Sequence, residues 1–521
     1  MLIEGDRLAA PGPPLHDLLR AGLDADPDAV AMVSALSRVT WAELEERSRR
    51  LAGGYLRLGL EPGDRVASLM PNRIGLATHY LACFRAGLVA TPLNYRYTFR
   101  EIDHALEVSG AAALLAHAER GEDLAASRLV GGLARGTISY GAEPGSGEPR
   151  FEQLLEAEPA APPPPAPSSP AAIFFTSGST GPAKGVTHTH ETLGWMIASA
   201  DHAFGLGPAD VFLPGSSMSH LGSFLWTLAT LAAGGRVVVA RSYDAHELIP
   251  LLREHRPTVL AMIPAALSAL VNDHDLTPED FASLRICRAG ADKVSTELLA
   301  EFAELAGFPI DEGYGMTEVG LTTLNPPAGP IKQGSIGPPT PGYDVSLRPD
   351  GGEGELRPGV VGRIWIRTRS RMAGYWEAPE ATAEILEDEW LDSGDLARAD
   401  EDGYLWFFGR KKQVIVHDGS NISPFEVEGA LVDHPAVALA GVVGVEDGVH
   451  GENVRAYVTI AEGAERPSSA DLIVHCRDRI GYKAPEEVVV LEQMPLNPTG
   501  KIDRVKLKRL AEDHLHPHGL D

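Results

Sequence analysis

The sequence has few cysteines and little positive charge. Its 521 residues include only Cys83, Cys287 and Cys476, which are far apart and match no metal-binding or redox spacing. This usage favours a reducing compartment, and we expect a cytoplasmic protein. Lys and Arg number 45 against 72 Asp and Glu, which gives a net charge of −27 at pH 7. The acidic excess argues against nonspecific binding to nucleic acid or to an anionic membrane.

The sequence also lacks a recognisable targeting segment or membrane span. No run approaches the roughly 18 apolar residues that a spanning helix needs. The first residues lack the basic start and apolar centre of a signal peptide, and the last ones match no targeting tripeptide. The hydrophobic content of 44% and the charged content of 22% are those of a globular protein, and the length allows two or more domains.

Lysine is scarce, with nine residues in the whole chain. Several of them lie in the motifs described below: Lys184, Lys411, Lys412, Lys483 and Lys501. A chain that otherwise uses arginine keeps lysine where a compact, mobile ammonium group is useful. The distribution suggests that these motifs carry chemistry.

A glycine-rich segment follows a short apolar run at residues 172–186. The apolar run, Ala172 to Phe175, predicts a buried strand, and the sequence Thr-Ser-Gly-Ser-Thr-Gly-Pro-Ala-Lys-Gly that follows predicts an exposed loop. Glycines turn backbone N–H groups toward a ligand, hydroxyls add donors and Lys184 adds a positive charge, which together suit a polyphosphate. The loop is not a Walker A motif, because Gly185 rather than Ser or Thr follows the lysine. The alternative is a flexible Gly/Ser linker, which rarely follows a strand directly or carries a lone lysine.

Strand and helix patterns alternate along most of the chain. Strands are expected at 65–70, 88–93 and 111–116, with helices at 73–86 and 98–108. After a Pro/Ala-rich connector at 158–170, a second alternating set includes strands at 210–214, 237–240, 259–263, 285–289 and 309–312. We therefore predict an α/β fold with two lobes, each built from a sheet covered by helices.

The later segments have a different pattern. Residues from about 343 to 409 alternate polar and apolar side chains, which predicts a small antiparallel β unit that completes an N-terminal domain of residues 1–409. Residues 410–521 contain a mixed set of strand and helix patterns of ordinary domain length. We predict a small, separate α+β domain there.

Further motifs contain polar residues that suit nucleotide chemistry. The segment Gly313–Glu318 is predicted as a turn after a parallel strand, where ligands bind in such sheets, and its Glu318 can hold Mg²⁺ beside phosphates. Asp395, in a Ser-Gly-Asp sequence, can accept hydrogen bonds from both hydroxyls of a ribose. Arg410 can reach a ribose or a phosphate, and Lys501 lies at the tip of a Pro/Gly loop. Taken singly, each has an ordinary alternative, such as a core tyrosine, a turn aspartate or a surface lysine.

In order and spacing, these motifs resemble the motif set of the acyl-adenylate-forming superfamily, which includes acyl-CoA synthetases, carrier-loading adenylation domains and luciferases. The resemblance extends over roughly Pro27 to Leu510. It implies ATP, Mg²⁺ and coenzyme A as cofactors or substrates, and a C-terminal domain that moves about a hinge near Lys412.

The resemblance also implies roles for individual residues. The residues implied in ATP and AMP binding are Thr176, Ser177, Gly178, Ser179, Thr180, Lys184, Ala289, Gly290, Ala291, Gly313, Tyr314, Gly315, Met316, Thr317, Asp395, Arg410 and Lys501. Catalytic roles fall to Lys501, Glu318, Thr176 and His220, and Thr176 and Glu318 support the metal. Gly419, Tyr482 and Lys483 are expected near CoA.

The acid is the least determined part of the resemblance. Its pocket is expected to be lined by His220, Leu221, Gly222, Ala289, Gly315, Leu321 and Thr322. No Arg or Lys occurs in that set, which favours a monoacid. Ser219 and Asp292 depart from the residues common in the family, and both touch the acid or adenine side of the site.

The expected activity is that of an AMP-forming carboxylic acid–CoA ligase. One alternative is an acid-activating ligase that loads a carrier protein, which we expect to be a separate chain because no carrier attachment sequence follows. Another is a nonenzymatic nucleotide-binding regulator, although Lys501, Glu318 and Lys184 are all present. The sequence leaves a homodimer open.

Overall fold

The computed structural model describes residues 1–143, 148–176, 182–272, 276–290, 294, 296–326, 329–349, 356–417, 420–447, 450–461, 463–497 and 501–515. These residues form four sheets with helices packed against them. The result is a mixed α/β protein with a large N-terminal part and a small C-terminal part. No helix among these residues has both the length and the apolar character that crossing a bilayer requires.

The first lobe contains a seven-stranded sheet. Its strands, in order across the sheet, are Gly374–Tyr375, Lys184–Thr189, Pro170–Thr176, Val89–Pro92, Arg65–Leu69, Ala113–His117 and Thr137–Tyr140. The strands predicted at 65–70, 88–93 and 111–116 are confirmed and pair in parallel. Thr176 lies opposite Lys184 in an antiparallel pair, so the residues on either side of 177–183 meet where two neighbouring strands end.

The helices of this lobe follow from local signals in the sequence. They are Trp41–Arg57, Ile74–Ala86 and Phe99–Ser109, with shorter segments at Arg20–Ala25, Gly121–Ala126 and Phe151–Leu154. Thr40 begins the first with a reciprocal capping box with Glu43. Gly87 ends the second with a positive φ of 68°, a conformation that glycine adopts without strain.

The second lobe contains an eight-stranded sheet. Its strands, in order, are Gly320–Leu324, Asp311–Met316, Ile286–Ala289, Val259–Met262, Val211–Gly215, Arg236–Val239, Val30–Ser34 and Arg38–Thr40. Its helices are His190–Phe204, Leu221–Ala232, Ala245–His255, Pro264–Val271, Pro278–Phe281 and Thr296–Ala306. Asp244 caps the third of these, as the sequence indicates, by accepting a hydrogen bond from the Glu247 N–H at 3.2 Å.

The segment predicted as a turn at 313–317 differs from expectation. Residues Asp311–Met316 form one strand, which pairs antiparallel with Gly320–Leu324 and carries an irregularity between Tyr314 and Gly315. The chain reverses only after Met316. A Cβ on Gly315 would lie 2.4 Å from the carbonyl oxygen of Gly320, so the close approach of the two strands requires a glycine there.

The β unit is an antiparallel sheet that also takes a strand from the N-terminus. Its path is Leu2–Glu4, Tyr343–Arg348, Gly362–Thr368, Trp390–Ala399 and Leu386–Glu387, and Leu405–Arg410 pairs with the long strand. Within this last pair Asp395 lies opposite Arg410. Pairing therefore brings together two residues that the sequence separates.

The C-terminal part has a five-stranded sheet and its own hydrophobic core. The strands are Ser420–Ile422, Ile415–His417, Gly451–Ile460, Val437–Asp447 and Glu487–Val490, and the helices are Pro424–Val432, Ser469–Ile480 and Arg504–Leu515. The strand predicted from Gln413 begins later, because Lys411–Gln413 form a 3-10 turn.

Candidate active site

One cavity lies between the two lobes, the β unit and the C-terminal part. It collects most of the residues singled out in the sequence. Those that line it are Thr176, Lys184, His220, Leu221, Gly222, Ala289, Gly290, Gly313, Tyr314, Gly315, Met316, Thr317, Glu318, Leu321, Asp395, Arg410, Lys412, Lys483 and Lys501.

Other predicted residues lie elsewhere or outside the described part of the chain. Ser177, Gly178, Ser179, Thr180, Ala291 and Gly419 fall outside the described residues. Thr322 is fully buried and does not line the cavity, because side chains alternate along its strand and Leu321 takes the cavity-facing position. Tyr482 is 67% exposed and lies away from the cavity wall.

One side of the cavity centres on Lys184 and Glu318. The Nζ atom of Lys184 lies 4.9 Å from the centre of the Tyr375 ring, over its face. The Tyr375 hydroxyl donates a hydrogen bond to Oε1 of Glu318 at 2.8 Å. Burial raises the pKa of the Glu318 carboxyl, and the Tyr375 hydrogen bond opposes that rise. The site thus combines a cation and a buried carboxyl group at the end of the first-lobe sheet.

A buried histidine fixes the backbone beside Glu318. The Nε2 atom of His188 lies 2.8 Å from the carbonyl oxygen of Thr317. Burial lowers the pKa of His188 to about 4, so its ring is neutral at neutral pH and donates to this carbonyl. This contact joins the first-lobe sheet to the end of the Asp311–Met316 strand.

Asp395 presents a buried acceptor to the cavity. Asp395 is only 4% exposed, and its Oδ2 atom accepts a hydrogen bond from the Tyr314 hydroxyl at 2.6 Å. Nε of Arg410 lies 3.5 Å from Oδ1, which makes no hydrogen bond to the residues described. Burial raises the pKa of Asp395, whereas Arg410, Tyr314 and Lys501 act in the opposite direction. A buried acceptor atom of this kind suits a ligand with hydroxyl groups.

Three aromatic rings join this acceptor to the C-terminal part. Tyr314 stacks on Phe407 with ring centres 5.9 Å apart, and Phe407 meets Phe425 edge to face at 5.3 Å. Phe425 belongs to helix Pro424–Val432 of the C-terminal part, while Phe407 belongs to strand Leu405–Arg410 of the β unit. We call Tyr314, Phe407 and Phe425 the aromatic bridge.

Lys501 reaches the cavity from the C-terminal part. Its backbone carbonyl accepts a hydrogen bond from the Asn497 N–H at 2.8 Å, and its own N–H donates to Oδ1 of Asn497 at 3.0 Å. These two bonds pair Lys501 with Asn497 and fix its backbone. The positive charge of Lys501 acts on both His220 and Asp395, so the lysine lies within electrostatic range of both residues.

His220 lies at the start of helix Leu221–Ala232. Its Nε2 is 3.4 Å from Nδ2 of Asn94, a residue of the first lobe. Burial, together with the nearby charge of Lys501, lowers the pKa of His220 to about 4. The ring is therefore neutral at neutral pH and forms part of the cavity wall.

Two family models match the chain. That of the AMP-binding enzymes matches residues 19–376, and that of the AMP-binding enzyme C-terminal domain matches residues 426–501. The first alone spans more than half of the chain. The chain belongs to the AMP-binding enzyme family.

Named relatives and a solved structure agree with this assignment. A feruloyl-CoA synthase of Amycolatopsis sp is 34% identical to this AMP-binding enzyme over 492 residues, which cover 93% of this chain and 96% of the relative. A fatty acid–[acyl-carrier-protein] ligase, ScoC, of Streptomyces coeruleorubidus is 34% identical over 498 residues, 93% of each chain. ATP-bound MatB from Rhodopseudomonas palustris has 28% identity and a TM-score of 0.88, and the match covers 96% of this chain and 99% of that chain. The predicted superfamily and fold class are confirmed.

Several cavity residues of this AMP-binding enzyme were not predicted from its sequence. They are Asn94, Trp226, Arg288, Tyr375 and Phe407. Most lie in ordinary helix or strand patterns, and their contacts come from pairing between distant segments. Arg288 did carry a signal, since it is an arginine in the otherwise apolar buried strand Ile286–Ala289.

The low pKa of His220 gives a prediction for this AMP-binding enzyme. Because the ring is neutral well above its pKa of about 4, its ionisation does not shape activity near neutral pH. We expect pH profiles of pyrophosphate release above about pH 5.5 to have the same shape for the wild type and for His220→Asn. A profile limb near the ordinary histidine pKa of 6.5, present in the wild type and absent in the variant, would contradict this.

Proposed function

We propose that this acid–thiol ligase activates a carboxylic acid with ATP and transfers the acyl group to CoA. In the first half-reaction a carboxylate oxygen attacks the α-phosphorus of ATP, which gives acyl-AMP and pyrophosphate. In the second, the CoA thiolate attacks the acyl carbon, which gives the thioester and AMP. The observation that carries the proposal is the convergence of Lys501, Asp395 and His220 on the cavity that Lys184 also lines.

The residues divide the work of the first half-reaction. A carboxylate is a poor electrophile because its negative charge is delocalised, and the acyl-AMP mixed anhydride gives it a good leaving group. Negative charge develops on the oxygens around the α-phosphorus, where Lys501 supplies a positive charge. Lys184 and the glycine-rich segment hold the leaving phosphates, and Asp395 accepts the ribose hydroxyls.

Mg²⁺ suits the phosphate side of this cavity. Glu318 offers a buried carboxylate oriented by Tyr375, and Thr176 offers a hydroxyl at the end of its strand. Mg²⁺ commonly binds through one or two carboxylates together with substrate phosphates and water. Bound there, it would neutralise charge on the departing pyrophosphate.

The second half-reaction needs a different arrangement of the C-terminal part. Lys501 occupies the nucleotide side of the cavity, and the thiol needs access to the acyl carbon. A hinge at Lys412, between the β unit and the C-terminal sheet, would allow one site to serve both steps. Lys483, which lines the cavity and pairs with Glu426 at 2.7 Å, is a candidate contact for CoA beside Gly419 and Tyr482.

A carrier protein is the second candidate acceptor. The similarity to ScoC, a ligase named for an acyl-carrier protein, is as high as that to a feruloyl-CoA synthase. The chemistry of the two acceptors is the same, because both present a phosphopantetheine thiol. The two acceptors differ only in the part beyond the phosphopantetheine, which is a nucleotide in CoA and a protein in the carrier.

A screen over acids tests the proposal. The purified protein with ATP and Mg²⁺ receives short-, medium- and long-chain and aryl acids, and pyrophosphate release is measured. Active acids are then assayed for AMP formation with CoA and with a phosphopantetheinylated carrier. We expect acid-dependent pyrophosphate release and faster AMP formation with CoA. Turnover with the carrier but not with CoA would mean that the carrier is the acceptor. The absence of acid-dependent pyrophosphate release with every acid would favour a nonenzymatic nucleotide-binding regulator.

A further inference from the structure

Arg288 is a buried arginine in the wall of the cavity. It belongs to the central strand Ile286–Ala289 and is only 5% exposed, yet it lines the cavity. Its guanidinium carbon lies over two aromatic rings, 5.4 Å from the centre of Phe204 and 5.3 Å from that of Trp226. These ring faces hold the guanidinium plane in place without using its hydrogen-bond donors.

The donors of this guanidinium are not all satisfied by the protein. Nη1 is buried and makes no hydrogen bond within the described part of the chain. Asp311, the partner of Arg288 across the neighbouring strand, supplies the nearest stabilising charge, but its Oδ1 atom also makes no hydrogen bond there. Burial lowers the pKa of Arg288 to about 9, so the group stays protonated at neutral pH. A buried charged donor without a partner is unfavourable unless a ligand completes it.

Arg288 lies on the acid side of the cavity. A Cβ on Gly313 would come within 2.1 Å of its Nη2 atom, so the glycine before Tyr314 leaves the space that the guanidinium fills. Facing it is helix Leu221–Ala232, whose residues Leu221, Leu225 and Trp226 line the cavity at helical spacing. Arg288 thus places a buried cation beside the apolar side chains of this helix.

We propose that Arg288 binds a second anionic group, a carboxylate or a sulfonate, on the tail of the acid substrate. This inference rests on the proposed function, since it assigns the substrate class of the same site. A guanidinium fork binds either oxyanion through two parallel hydrogen bonds, and the aromatic rings fix its orientation. A purely apolar tail would leave the buried Nη1 donor without a hydrogen bond. The sequence favours a monoacid only because the wall residues expected from it do not include Arg288.

The test compares acids of equal length that differ only at the tail. Butyrate, succinate and 3-sulfopropionate form one set, and hexanoate and adipate form another, with pyrophosphate release measured without CoA. We expect kcat/KM of the wild type to be higher for at least one anionic-tailed acid than for its monoacid by about 10- to 100-fold. Arg288→Met should abolish this preference by lowering kcat/KM for the anionic-tailed acids more than for the monoacids. The succinate and 3-sulfopropionate arms show which oxyanion is preferred.

A matched control separates recognition from packing. Arg348 also lies on two rings, 4.1 Å from the centre of Trp365 and 5.2 Å from that of Trp390, but does not line the cavity. Arg348→Met should leave the preference unchanged. If Arg288→Met does not fold, Arg288→Lys keeps the buried charge without the fork and should reduce the preference.

The possible failures are distinguishable. Equal rates for both tails in the wild type, or a preference that survives Arg288→Met or Arg288→Lys, would overturn the role of Arg288, while pyrophosphate release itself would uphold the proposed ligase. A loss of the same size for every acid would assign Arg288 a purely structural role. No release with any acid in either set or in the wider screen would overturn both proposals.

Discussion

Lys501→Ala is expected to lower acid-dependent pyrophosphate release by on the order of 10²–10³-fold. The charge of this lysine acts on both Asp395 and His220, and in the proposed reaction it stabilises the oxygens on which negative charge develops. Alanine removes that charge and keeps the pairing with Asn497, whose contacts use the backbone of residue 501. The measurement is the rate of pyrophosphate release at saturating ATP.

The second half-reaction provides the internal control for this variant. Thioester formation from supplied acyl-AMP and CoA should remain close to the wild-type rate, because Lys501 has no part in that step of the proposed reaction. Lys506→Ala removes a nearby lysine that pairs with Asp503 at 3.7 Å and does not line the cavity, and it should leave both steps unchanged. An unchanged rate of pyrophosphate release in Lys501→Ala would contradict the role given to this residue.

Asp395→Ala is expected to lower kcat/KM for ATP by on the order of 10²–10⁴-fold. Two hydrogen bonds from ribose hydroxyls to a buried carboxylate contribute about 1.5–3 kcal/mol each. The substitution also leaves Arg410 and the Tyr314 hydroxyl without their partner. Initial rates at varied ATP concentration, with the acid saturating, measure the effect.

Two comparisons identify the ribose as the group that Asp395 holds. The wild type should use ATP better than 2′-deoxy-ATP, and Asp395→Ala should lose most of that difference. Asp402→Ala, which removes an exposed acid paired with Lys332 at 2.7 Å, should change neither value. A variant that still discriminates fully between the two nucleotides would place the ribose elsewhere.

Much of the fold could be predicted because its signals are local. Apolar runs marked the parallel strands, and caps marked helix ends, as at Gly87 and Asp244. The strand Leu2–Glu4 could not be found in this way, since it pairs with Tyr343–Arg348, far along the chain. Pairing over such a distance leaves no pattern in either segment alone.

The same distinction between local and distant signals applies to the candidate site. Local motifs predicted Lys184, Asp395 and Lys501, because the residues adjacent to each of them in the sequence form a recognisable pattern. Arg288 and Tyr375 depend on which strands become neighbours and which side of each strand faces the cavity. Thr322 illustrates the limit, because a single-residue difference along one strand separates it from the cavity that Leu321 reaches.

The aromatic bridge has a consequence for the balance between conformations. A motion of the C-terminal part that withdraws Lys501 as a rigid body also parts Phe425 from Phe407, because both Lys501 and Phe425 belong to the moving unit. An aromatic pair contributes about 0.5–1.5 kcal/mol, which corresponds to a bias of roughly 2- to 13-fold in an equilibrium constant. This single contact therefore favours the arrangement in which Lys501 lines the cavity by about that factor. Phe407 also stacks on Tyr314, whose hydroxyl donates to Asp395, so the aromatic bridge links the position of the C-terminal part to the acceptor that we propose for the ribose.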